Sequence, residues 1–133
     1  MKLRKQLFTA LLALILVVSV FIIQALAVDT SVNLTKSQTY NLSGTIEAKQ
    51  VYIKSTTSNS QSSTQRMRAQ CQYKDGLFAS WNYDVRVFID QGKSLGSNKD
   101  SYKFATSVKW RLGLSPEVEN DKGVTGSGTI VSK

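Results

Sequence analysis

The sequence predicts an all-β domain, an antiparallel β-sandwich or small β-barrel of about seven strands, lying behind an N-terminal signal peptide. Three observations carry this expectation. Apolar and polar residues alternate with period two over residues 66–73, 77–89 and 102–112, the pattern of strands with one buried and one solvated face. No window beyond residue 27 places apolar side chains at i, i+3, i+4 and i+7, so no amphipathic helix is expected there. The uncharged run from Leu7 to Ile23 follows Lys2, Arg4 and Lys5 and precedes Ala25-Leu26-Ala27, which is the basic, apolar and small-x-small order of a secretory signal.

That order places a signal peptide at residues 1–27, cleaved after Ala27, and a single secreted β domain at residues 28–133. An uncleaved anchor is the competing reading, because the apolar run is nearly long enough to span a bilayer. No cysteine follows the apolar run, so lipid attachment there is not expected. The product is expected to be extracellular or associated with the cell envelope, of the Gram-positive type given its poverty in cysteine. The chain carries 17 Lys and Arg against 9 Asp and Glu, a formal charge of +8. Losing Lys2, Arg4 and Lys5 leaves 14 basic against 9 acidic side chains, still an excess of +5. Having no histidine excludes His-based general bases, Ser/His and Cys/His relays and His-ligated metals. Cys71 is the one cysteine and sits on the apolar parity of its strand, which predicts an inert core thiol. A domain of this size folds without disulfide or metal.

Taken in order, short strands are expected at residues 31–34 and 39–42. In residues 45–55, Ile46 and Ala48 occupy one parity but Val51 and Ile53 the other, so a bulge or bend is expected near Gln50. The uncharged polar tract 55–65 reads as an exposed loop. The strand over 66–73 then meets Lys74-Asp75-Gly76. A three-residue hairpin loop with Gly76 left-handed would pair Tyr73 with Leu77, Cys71 with Ala79, Ala69 with Trp81 and Met67 with Tyr83, with Arg66 facing Asp84. Trp81 and Trp110 are then core residues. Residues 91–100 read as a mobile loop, and the run 102–112 is expected to pair with 77–89. A terminal strand at 129–132 closes the domain. Glu117, Glu119 and Asp121 start with the spacing of an EF-hand loop, but the glycine comes one place late and Gly128 stands where a bidentate carboxylate should close the site, so the segment reads as a solvated acidic loop.

The outward positions of the three long runs hold Arg66, Arg68, Arg86, Lys103, Lys109 and Arg111 against Asp84 and Asp90. If the runs are neighbours, these cations share one surface suited to a polyanion. Phe78 and Phe88 fall on that otherwise polar parity as exposed aromatic candidates. The expectation is a non-enzymatic binding domain acting on an anionic cell-wall polymer or anionic lipid surface, with no cofactor, no metal and no nucleic-acid partner. Three alternatives belong to other classes: an antimicrobial effector acting on target-cell membranes, a small carboxylate-dependent cell-wall hydrolase using acids among Glu47, Glu117, Glu119 and Asp121, and an inhibitor presenting loop 91–100 to an unidentified protein partner.

Overall fold

The structure is a computed structural model and describes residues 27–133. Residues 1–26, and with them nearly all of the expected signal peptide, lie outside the described residues. Ten strands follow in chain order: β1 (Asp29–Leu34), β2 (Asn41–Leu42), β3 (Ile46–Ala48), β4 (Val51–Ile53), β5 (Ser58–Asn59), β6 (Met67–Lys74), β7 (Asn82–Ile89), β8 (Lys99–Asp100), β9 (Val108–Pro116) and β10 (Gly126–Ser132). They make two antiparallel five-stranded sheets, and no helix occurs among the described residues. In the first sheet the order is β1-β10-β4-β8, with β5 also on β10. In the second it is β2-β9-β6-β7, with β3 also on β9.

The core lies between the sheets, giving a β-sandwich-like arrangement. Met67, Ala69, Cys71, Trp110, Leu112 and Leu114 fill it from the second sheet, and Leu34, Ile53 and Ile130 from the first. Two glycines of β10 set the closeness of approach: a Cβ on Gly126 would strike Met67 and the Ser58 carbonyl, and one on Gly128 would strike Leu112. The bend expected near Gln50 is where the chain changes sheets. β3 pairs with β9 (Ile46↔Trp110) and β4 with β10 (Ile53↔Ile130). The reversal of parity between Ala48 and Val51 therefore leaves the side chains of both strands buried in one core.

Several expectations are corrected. The strands number ten rather than about seven, because each sheet has a broken edge built from two- and three-residue pieces. The β6–β7 connection is not a three-residue loop. Met67 pairs with Ile89, Ala69 with Val87 and Gln72 with Tyr83, with a bulge that sets Asp84 and Val85 opposite Cys71. The bulge reverses the parity, so Tyr83 shares a face with Gln72 and lies on the other side from Met67. The physical reason lies in what packs on the end of β6: Tyr73 stacks on Phe104 and Trp110, at 4.8 and 5.7 Å between ring centres, where Leu77 was expected. Leu77 is left outside in the connection 75–81, although Gly76 does adopt a positive φ of 99°.

The third run pairs with β6 rather than β7, in a continuous ladder from Met67↔Pro116 to Lys74↔Lys109. It becomes a strand only at Val108. The polar tract is no simple loop, since Thr57, Asn59 and Ser63 are buried and β5 lies within it. Asn59 donates its amide to the carbonyls of Gln65 and Ile89. Segment 91–100 is tied to that tract: Leu95 N donates to the Thr57 carbonyl and Asn59 N to the Lys93 carbonyl, while Asn98 accepts from Ser55 N.

Candidate functional site

The outer face of the second sheet is built in rows by the registers of β7, β6 and β9. Phe88, Arg68 and Ser115 form the first row, Arg86, Gln70 and Gly113 the second, and Tyr83, Gln72 and Arg111 the third. Lys74 and Lys109 face each other beyond them. Arg68, Arg86, Lys109 and Arg111 are therefore on one surface. Arg66 stands just ahead of β6 at its edge, and Lys103 lies in connection 101–107, off the sheet.

The cations differ in what they touch. Arg66 forms a bidentate ion pair with Glu117 and lies 5.1 Å over the Phe88 ring. It does not meet Asp84, which instead accepts from Tyr102 N. The hydrogen bonds from Arg66 hold the Glu117 carboxyl below its ordinary value, and the same contact raises Arg66. Arg68 reaches Glu119 at 3.3 Å and donates to Ser115 Oγ at 2.9 Å. Lys109 is 4.0 Å from Glu47. Arg111 donates to Gln72 Oε1 at 2.8 Å and stacks 3.9 Å from the centre of Trp81. Trp81 thus belongs to this outer face and not to the core, a consequence of the parity reversal in β7. Gln72 passes the chain on by donating to the Tyr40 hydroxyl. Arg86 lies 5.9 Å over Tyr83. Neither Arg86 nor Arg111 meets a carboxylate among the described residues.

Between these groups lies an open groove of about 300 Å³ whose walls include Tyr40, Arg68, Gln70, Tyr83, Arg86 and Asn120. Gln70 is buried in its floor, and its Oε1 has no hydrogen-bond partner. The acidic segment does not converge on a cation position. Glu117 and Glu119 turn to arginines, while Asp121 is held below its ordinary value by the Lys122 backbone N–H and by Gln65. No group of three metal-ligating side chains occurs among the described residues. Cys71 is fully buried, and burial, with a smaller push from Asp84, raises its thiol to about 12.

Gln70, Gln72, Tyr40 and Trp81 are the residues that sequence reasoning missed on this face. The two glutamines stood at outward parity, but Gln72 is covered by Tyr40 and Arg111, with Trp81 on Arg111, which no local spacing reveals. Phe88 is partly covered by Arg66, whereas Phe78 projects from connection 75–81 and is 96% exposed. The fold and face together describe an all-β domain of two five-stranded antiparallel sheets with a basic outer surface. Neither the protein-family models, nor the curated proteins, nor the solved structures compared with this chain contain a match to it.

Proposed function

We propose that this chain is an exported, non-enzymatic binding domain whose basic outer face takes an anionic polymer of the cell envelope. The observation that carries the reading is the alignment of Arg68, Arg86, Lys109 and Arg111 on one face of three hydrogen-bonded strands. Arg68 and Arg86 stand on adjacent strands about 4.8 Å apart, and Lys109 and Arg111 two residues apart on β9, inside the ~8–10 Å over which charges act together at physiological salt. Arg86 and Arg111 need no carboxylate displaced, and Glu119, mostly exposed on Arg68, is readily exchanged for an incoming anion. Arginines held against Tyr83, Trp81 and Gln72 are pre-organised, so little side-chain freedom is lost on binding. Export rests on the sequence order of residues 1–27, and the secreted product is expected to begin at Val28 by intact mass.

The test is retention on immobilised anionic wall polymer as salt is raised. The variant Arg86→Gln/Lys109→Gln is expected to bind about two- to thirty-fold more weakly, two exposed ionic contacts of ~0.2–1 kcal/mol each. Its melting temperature should match wild type. Unchanged retention of the variant, or wild-type retention indifferent to salt, overturns the reading.

A further inference from the structure

Connection 75–81 lies at one end of the sandwich, and its tip is Leu77-Phe78. Leu77 is 73% exposed and Phe78 96%. Two adjacent large apolar side chains this exposed are an unusual feature of a protein surface. They are not a stray turn at a frayed end. The same end of the second sheet is anchored by the stacking of Tyr73, Phe104 and Trp110. On that aromatic cluster Tyr102 is exposed and packs edge-on to Phe104 at 5.0 Å.

The chemistry around the tip selects its occupant. Lys74 and Lys109, register partners at the ends of β6 and β9, line one cleft with Leu77. Lys49 borders the same end, its carbonyl accepting from Phe104 N, and Lys103 lies in the connection between Tyr102 and Phe104. The acids there are Asp75, within the loop, Glu47, already close to Lys109, and Asp84, which accepts from Tyr102 N. An apolar tip with lysines at its base and an exposed tyrosine on the neighbouring aromatic cluster matches the layering of an anionic bilayer. Hydrocarbon accepts Leu and Phe, the interface accepts Tyr, and the headgroup layer attracts Lys.

We infer that Leu77 and Phe78 insert into the interfacial layer of an anionic lipid bilayer, with Lys49, Lys74, Lys103 and Lys109 against the headgroups. This site goes beyond the polymer-binding reading and shares only Lys109 with it, since Leu77 and Phe78 belong to none of the rows of the basic face.

The experiment is co-sedimentation of residues 28–133, with phosphatidylcholine vesicles and with vesicles of phosphatidylglycerol and phosphatidylcholine in equal parts, run beside the soluble anionic polymer. The wild type is expected to sediment only with the anionic vesicles. The variant Leu77→Ser/Phe78→Ser should lose at least about ten-fold in vesicle partition, given the apolar area withdrawn, while polymer binding is unchanged. A second variant, Phe78→Trp, should show a blue shift of its added tryptophan emission on anionic vesicles alone. Equal sedimentation of wild type and double serine variant overturns the insertion and leaves the polymer reading intact. So does an unshifted tryptophan, or a wild-type dimer in solution that the serine variant abolishes, since a second copy would then cover the tip. Loss of polymer binding in the wild type with vesicle binding retained would overturn the other reading instead.

Discussion

The two sides of β6 are both shielded from water, but by opposite chemistry. On the inner side Met67, Ala69 and Cys71 meet Leu112, Leu114 and the glycines of β10. On the outer side Gln70 and Gln72 are equally buried, yet Gln72 is covered by polar and aromatic groups, Tyr40 and Arg111 with Trp81 stacked on Arg111, and Gln70 keeps an oxygen without a partner. The inner side gains from apolar area removed from water and is indifferent to direction. The outer side gains only where each donor finds its acceptor, because a buried amide without a partner is costly. One face therefore specifies stability, and the other specifies where Arg111 and its neighbours point.

Breaking the inner face should have the largest effect. Trp110→Ala is expected to destabilise the domain by about 3–5 kcal/mol in denaturant unfolding, from lost burial plus the cavity left behind. Next comes Gly126→Ala, whose Cβ would meet a backbone carbonyl as well as Met67; about 1–3 kcal/mol of destabilisation is expected, and none at all would mean that the sheets are less closely apposed. On the outer face, Gln72→Leu keeps the volume but strands Arg111 and the Tyr40 hydroxyl, and about 1–2 kcal/mol should be lost, with polymer retention falling alongside.

Two smaller effects depend on protonation. Because Glu117 titrates below its ordinary value in the folded state, its pairing contributes at neutral pH and is lost as the pH falls through the folded value. Stability curves of wild type and Glu117→Gln should therefore converge on acidification. The Cys71 thiol is raised from 9.0 to about 12, so its contribution is complete below pH 9 and is lost as the pH rises toward 12. Labelling of the native thiol at pH 8 should be no faster than unfolding.

The inner face was the legible one. Period two marked Met67, Ala69, Cys71, Trp110 and Leu112 as core, and the parity switch at Gln50 marked a bend that proved to be the crossing between sheets. The pairing of β7 was not legible. Alternation from Leu77 through Ile89 is compatible with two registers of equal parity, and only the bulge at Asp84 and Val85, together with Phe104 folding onto Tyr73, decides between them. Buried Thr57 and Asn59 were missed for a related reason. Their partners are backbone groups of Lys54, Gln65 and Ile89, and no side-chain pattern encodes a hydrogen bond to backbone. On the candidate face, the outward arginines were visible as a set, but their division between carboxylate-paired and aromatic-stacked was not.

The strand at the middle of the first sheet is also the last of the described strands in chain order. β10 holds β1, β4 and β5, and its ladder joins Asp29 to Val131 across almost the whole described chain. Until residues 126–132 emerge, β1 has no hydrogen-bonded neighbour in its sheet, and Met67 and Leu112 lack the β10 glycines that pack on them. Such non-local closure makes folding slow relative to helical domains of similar size. For the export proposed above, that delay would keep the chain threadable through a translocation channel until its sheet can close.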